Sequence, residues 1–341
     1  MATIKDVARV AGVSVATVSR VINGSPQTRP DTVALVKKTM QQLGYRPNAA
    51  ARTLVTKKNR AIGVVVADVA DPFFGTLVKH VDTIAHAQGY HVLIGNGYHN
   101  AEREKQTIES LIQNQVGSLI IHSKALDDDT LRKYAEEHSA VVFINRHIPG
   151  LAGRCIYLDN YHGAYLATEH LIGKGHKHIG YLGSNHGIED TEQRYHGFHD
   201  ALKAHGLLCE SGTDETRCAA QGIPDETGGE LAMASLLEKM PSVTAVFCYN
   251  DVMAAGAVSL LTERKIHVPQ EVSVVGFDNS AIARYMYPKL TTVRYPIEEM
   301  AAKAATLAIS LADNQPAPAL DSNYKPSLVL RDSVSSPATD N

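Results

Sequence analysis

The chain is 341 residues long, room for two or three domains. Hydrophobic residues make up 44% and charged residues 20%, a globular balance with a sizeable core, while the longest apolar runs, such as Ile62–Ala67, stop far short of the about 20 residues of a membrane span. The net charge of -3 conceals a division: residues 1–60 hold eleven Lys/Arg against two Asp/Glu, or +9, and the other 281 residues hold 22 against 34, or -12, so a basic head joins an acidic body as in binders of polyanions.

A solvated basic tail is the alternative for that head, but its apolar residues are helically spaced. Thr3 followed by Asp6 fits a capping box, and Ile4, Val7, Ala8 and Ala11 then recur until Gly12 ends the helix. Ser14 can cap a second helix, Val15–Asn23, with Val15, Val18 and Ile22 expected inward. A third helix is expected over Pro30–Leu43, with Pro in its first turn and Gly44 after its end. Two short helices around a glycine turn, packed by a third, make a helix-turn-helix headpiece at residues 1–46. Residues 47–60 read as a short helix, Asn48–Leu54, followed by a polar linker. A helix of about two turns is mostly unfolded when alone in water.

From Ala61 the pattern changes. Buried-strand runs at Ile62–Val66, His91–Ile94, Ser118–Ile121, Val141–Ile144, Ile156–Leu158, His178–Leu182, Ala245–Cys248 and Val272–Phe277 alternate with helical stretches such as Phe74–Gln88, Glu102–Asn114 and Ala164–Gly173. That alternation predicts an α/β fold of doubly wound parallel sheets. The strands are too many for one such sheet, so two lobes are expected, with Thr291–Tyr295 and Lys325–Arg331 as return crossings. The expected division of the core, 61–335, is an N-lobe of 61–160 plus 293–322 and a C-lobe of 161–292 plus 323–335, with a tail at 336–341. Cys155, Cys209, Cys218 and Cys248 form neither a disulfide framework nor a C-x-x-C pair. Reduced thiols in a cytoplasmic protein are expected. Lys5, Asp6 and Arg9 break up the opening residues, which do not read as a secretory signal.

Thr-Ile-Lys-Asp-Val-Ala at 3–8, Gly-Val-Ser-Val-Ala-Thr-Val-Ser-Arg-Val-Ile-Asn at 12–23 and Tyr-Arg-Pro-Asn at 45–48 resemble the headpiece of the lactose/galactose repressor family of bacterial transcriptional regulators. Asp71-Pro72-Phe73-Phe74, Gly175-His176, Tyr249-Asn250-Asp251, Val275-Gly276-Phe277-Asp278 and Leu290-Thr291-Thr292-Val293 continue the likeness through residue 335. It is strongest toward the galactose branch, through Val15-Ala16, the run Leu93–His99 and Thr292–Ile297. Gly24 and the Arg29-Pro30 pair depart from the family pattern. The resemblance implies a two-lobed core like that of periplasmic sugar-binding proteins, joined to the headpiece.

It also implies a set of DNA contacts. Val15, Ala16 and Arg20 would meet base edges, Arg20 a guanine and the other two thymine methyls, although Val15 can equally pack inside the headpiece. Thr3, Ser14, Thr17, Ser19, Asn23 and Tyr45 are candidate phosphate contacts, or simply caps and surface residues. Asn48, Ala51 and Leu54 belong to the implied hinge helix, with Leu54 wedged into a minor-groove step rather than packed on the body.

For the cleft, Asp71, Asn145, Arg194, Asn250 and Asp278 would supply polar contacts to a sugar, D-galactose by the branch matched, and Phe73, Phe74 and Tyr295 apolar ones. Asp71, Asn250 and Asp278 each follow a strand-like run, where ligands of open α/β sheets gather, though Asp and Asn also cap turns and helices. The enzyme alternative lacks a G-x-S-x-G elbow, a Walker loop, H-E-x-x-H and a complete G-x-G-x-x-G. The sixteen histidines, among them His176, His178, His196 and His199, read as solvated surface residues without ligand spacing, so no metal or cofactor is expected. A periplasmic binding protein would lack the basic helical head. The expectation is a homodimeric repressor on a pseudo-palindromic operator, with 74–88 and 252–261 as candidate dimer helices and no coiled coil in the tail.

Overall fold

The computed structural model describes residues 2–22, 25, 27–45, 59–207, 218–316 and 322–338. The chain divides into two compact units, residues 1–59 and 60–341. Among the described residues the first unit holds three helices, α1 (Ile4–Ala11), α2 (Val15–Ile22) and α3 (Pro30–Gln42). The Thr3/Asp6 capping box forms as expected, and Gly12 closes α1 in the left-handed conformation at φ 64°. Ser14 caps α2, its Oγ accepting from Thr17 N at 3.1 Å. Arg29 precedes α3 without a side-chain cap, and Pro30 starts that helix. Val7, Ala8, Ala11, Val18, Val21 and Val36 form the small core. Val15 departs from the expectation: it is 42% exposed, because the buried stripe of α2 runs between Val18 and Val21 and leaves Val15 at its margin. The hinge at 47–60 lies almost wholly outside the described residues.

The second unit is a duplicated α/β architecture. Its first sheet comprises β1 (Ala61–Val66), β2 (His91–Asn96), β3 (Ser118–Ile121), β4 (Val141–Ile144), β5 (Cys155–Leu158) and β11 (Asn323–Tyr324), in the order β2-β1-β3-β4-β5-β11, all parallel. The second comprises β6 (Ile179–Ser184), β7 (Ala219–Gly222), β8 (Ala245–Cys248), β9 (Ser273–Asp278), β10 (Thr291–Arg294) and β12 (Ser327–Val329), in the matching order β7-β6-β8-β9-β10-β12. Only the β10–β12 pair among these is antiparallel. Helices α4 (Pro72–Ala87), α5 (Ala101–Gln113), α6 (Asp128–Glu137) and α12 (Ile297–Ala312) accompany the first sheet. With the second go α7 (Asn160–Gly173), α8 (Glu189–Ala204), α9 (Glu226–Lys239), α10 (Asp251–Glu263) and the short α11 (Ala281–Tyr285). The central strands β1, β3, β4, β6 and β8 are buried throughout, which is why they read as unbroken apolar runs.

The lobe boundaries fall a little away from those expected. All of Thr291–Arg294 pairs with β9, so the second crossing comes at Tyr295–Pro296 and not at 293. Asn323–Tyr324 pairs with Tyr157 and Leu158, which keeps 323–324 in the first lobe. Pro326, lacking an N–H, delays β12 to Ser327. Strand β7, Ala-Ala-Gln-Gly, was not legible because it carries no β-branched or alternating pattern; pairing with β6 makes it a strand. Among the described residues no helix is long and apolar enough to cross a membrane.

Candidate functional site

On the headpiece, α2 turns Val15, Ala16 and Arg20 outward, with Ser19 half-buried beside them. Thr3 Oγ1 donates to Asp6 Oδ2 at 2.8 Å, and the Ser14 and Thr17 hydroxyls lie 2.9 Å apart, so these hydroxyls serve as local caps. The Tyr45 ring packs against the small core. Asn23, Asn48, Ala51 and Leu54 lie outside the described residues.

In the two-lobed unit, a cavity of about 250 Å³ is walled by the carboxyl ends of strands from both sheets. Seven of the eight expected effector residues line it: Asp71, Phe73 and Phe74 after β1, Asn145 after β4, Arg194 on α8, Asn250 after β8 and Asp278 at the end of β9. Parallel strands with α/β crossovers leave their carboxyl ends free on one side, and two lobes facing each other on that side enclose a ligand-sized space. Tyr295 does not line it; its ring sits edge-on behind Phe73 at 4.8 Å, so it supports the apolar wall.

Arg194 is 4% exposed. Its Nε donates to Asn160 Oδ1 at 3.0 Å and its Nη1 to the Tyr249 carbonyl at 2.5 Å, and Nη2 lies 3.8 Å from Asp278 Oδ1. Its guanidinium stacks 3.7 Å from the Phe277 ring centre and 4.4 Å from that of Tyr249. It is a fixed cation in the cleft wall, not a solvated helix residue. Burial pushes the Asp278 carboxyl well above its usual range, against the pull of Arg194. Burial also raises Asp71. Asp71 and Asn250 cap α4 and α10 through Phe73 N and Met253 N, each at 2.8 Å, while lining the cavity. The capping and pocket-lining readings therefore hold together at those two positions.

Several cavity residues escaped the sequence reading, among them Asp190, Tyr249, His99, His122 and His186. Asp190 crosses between lobes, accepting from Lys124 Nζ on Oδ1 and from Asn145 Nδ2 on Oδ2, both at 2.7 Å. Burial alone would raise its carboxyl, but Lys124 and Arg194 hold it below the usual value. The surface reading of the histidines fails at His122, 3% exposed, and at His176, 2% exposed and held between Thr244 and Ser335. Rings of His99 and His122 lie 5.8 Å apart, those of His99 and His186 5.3 Å apart. Burial, then the neighbouring His186, lowers His99 to about 4. Burial lowers His122 and His186 as well, so all three are neutral near pH 7 and each offers one donor and one acceptor. His122 directly follows β3; its place one residue past a parallel strand was the available signal. The cleft thus presents carboxylates, a guanidinium, amides and neutral imidazoles on one side, and the Phe73/Phe74 edge on another. Among the described residues no cluster of three or more His, Cys, Asp or Glu is placed to hold a metal ion.

A helix-turn-helix head and a two-lobed binding core in one chain define a class: DNA-binding regulators that carry a small-molecule site. Residues 3–48 match the bacterial regulatory proteins of the lacI family, and residues 168–334 match the periplasmic binding protein-like domain. The chain is 50% identical over 338 residues to the HTH-type transcriptional regulator GalR of Escherichia coli (strain K12), covering 99% of this chain and 97% of that protein. It is 49% identical over 334 residues to the HTH-type transcriptional regulator GalS of Salmonella typhimurium (strain LT2), covering 98% of this chain and 97% of the relative. The solved lac repressor dimer bound to operator and the anti-inducer ONPF matches with a TM-score of 0.83 at 26% identity, over 98% of this chain and 99% of that one. The chain belongs to the lacI family: it is a DNA-binding transcriptional regulator.

Proposed function

We infer that the protein is a cytoplasmic, homodimeric repressor of genes for sugar transport and metabolism, released from its operator when D-galactose binds between the lobes. The observation that supports the sugar most strongly is the cleft itself. Hexoses present hydroxyls around the ring and C–H groups on a face. Arg194, Asp278, Asp190, Asn145 and Asn250 meet the first need, and Phe73 with Phe74 the second. A cavity of about 250 Å³ lies just below the about 300–1,000 Å³ of pockets for drug-sized molecules, and suits a monosaccharide.

In this reading the exposed side of α2 enters the major groove, where Arg20 reads a guanine and Val15 and Ala16 meet thymine methyls. Thr3, Ser14, Thr17, Ser19, Asn23 and Tyr45 set its position on phosphates, and Asn48, Ala51 and Leu54 form the minor-groove hinge. The dimer forms over α4 and α10. Beside α10 runs a groove lined by Ala255, Val258, Ile282, Tyr285 and Tyr287, the two tyrosines being 86% and 94% exposed. Two-fold symmetry then matches two operator half-sites. Calorimetry with a panel of hexoses, followed by operator release measured with the same panel, tests the reading. Tight uptake of galactose with loss of operator binding is expected. Uptake of another hexose alone would move the protein to another sugar; uptake of none would overturn the sugar reading.

A further inference from the structure

Two of the polar cavity residues on the second lobe, Asn250 and Asp278, come from different strand ends, and one carboxylate outside the cavity joins them. Asp251, fully buried in the first turn of α10, follows Asn250 directly. Its Oδ2 accepts from Ser280 N at 2.6 Å and from Ser280 Oγ at 3.0 Å; its Oδ1 accepts from Thr292 Oγ1 at 2.5 Å. The Thr292 hydroxyl accepts in turn from Asn279 N at 3.3 Å. Arg331 Nη2 reaches Asn279 Oδ1 at 2.6 Å. These bonds tie Asp251 to the turn just after Asp278, directly at Ser280 and through Thr292 at Asn279, and there Asp278 and Asn279 stand at φ 106° and 54°. Non-glycine residues rarely hold such angles unless their surroundings impose them. Gly276 makes room for the arrangement, since a Cβ there would lie 2.3 Å from Asp251 Oδ1.

We propose that Asp251 is a positioning residue for the effector: its ionised carboxylate locks the 278–280 turn to the start of α10 and so fixes Asp278 and Asn250 in one geometry toward the ligand. Burial raises the Asp251 carboxyl to about 6, against its hydrogen bonds and Arg331, which leaves it ionised at neutral pH. Three donors converge on its two oxygens. An asparagine there offers one acceptor oxygen and adds two donors, so the turn loses at least one anchor. This inference rests on the effector reading of the cleft.

The test is a double-mutant cycle read by galactose calorimetry on the full chain. Asp251→Asn should weaken galactose binding roughly tenfold, and in an Asp278→Asn background it should cost clearly less, because part of the lock acts through Asp278. Thr292→Val should reproduce the loss and Thr292→Ser should restore near-normal affinity, which keeps the cycle readable if Asp251→Asn folds poorly. Wild-type affinity in both Asp251→Asn and Thr292→Val, or losses that add in full with Asp278→Asn, would overturn the proposal. Hydrogen exchange at the Ser280 amide needs no ligand. It should speed up in Asp251→Asn; unchanged protection there overturns the lock even if no hexose binds, a result that would separately defeat the effector reading.

Discussion

At the scale of single residues, two arginines stand at opposite ends of the proposed function. Arg20 is exposed on α2, free of the headpiece core, and its planar fork suits a guanine edge. Arg20→Ala should cost about 1–3 kcal/mol on the operator and flatten base preference at one position. Operator and random-sequence DNA compared at one salt concentration check this; an unchanged ratio removes Arg20 from the base readers. Arg194 has no such freedom. It satisfies Asn160 and the Tyr249 carbonyl, faces Asp278 and stacks on Phe277. Arg194→Ala should therefore abolish sugar binding and also destabilise the core by about 1–3 kcal/mol, since it leaves the buried Asn160 Oδ1 and Tyr249 carbonyl without their donor. Denaturant unfolding alongside calorimetry separates the two losses. A variant that keeps normal sugar affinity shows that the guanidinium only braces the wall.

At the scale of elements, the cleft depends on how closely α7 and α8 pack. Gly197 lies at their contact, where a Cβ would stand 2.2 Å from the Tyr161 carbonyl oxygen and 3.0 Å from Ala164 Cβ. Helix α8 carries Asp190 and Arg194, and α7 opens with Asn160, Arg194's partner. Gly197→Ala must push the helices apart, at about 1–3 kcal/mol of stability by the usual cost of overpacking. The same shift should weaken sugar binding by loosening the Arg194–Asn160 bond. A urea midpoint equal to wild type would show that α8 can yield without penalty. The strands behave differently: the buried ones were readable as apolar runs, whereas edge strand β7 and two-residue β11 exist only because a neighbour offers its ladder.

At the scale of the whole molecule, regulation requires the cleft and the DNA-binding end to share one equilibrium. The hinge helix proposed at 48–54 would be marginal alone, so DNA and a dimer mate would have to support it. A sugar that favours the lobe arrangement in which the hinges separate weakens operator binding, and the operator must weaken sugar binding by the same factor. A coupling of about 1–3 kcal/mol is expected. Sugar affinity measured with and without saturating operator gives it directly; equal affinities would make the hinge a passive tether. Leu54→Gly should lose specific DNA binding and leave sugar affinity in the DNA-free protein unchanged.

Local patterns were sufficient for a good deal of this protein. The Thr3/Asp6 box, Gly12 and Ser14 act within a few residues of themselves, so the headpiece could be read from spacing alone. Seven cleft residues could be named because strand ends and family motifs mark them. Tertiary structure decided what depends on partners distant in sequence. Lys124 and Asp190 stand 66 positions apart, Asp251 and Thr292 41 apart, and no periodicity connects either pair. Val15's exposure, the burial of His122 and the crossing after Arg294 followed from which surfaces met in three dimensions. Hydrophobic period and capping are short-range, but a buried charge becomes possible only when the fold brings it a counter-charge or a set of donors.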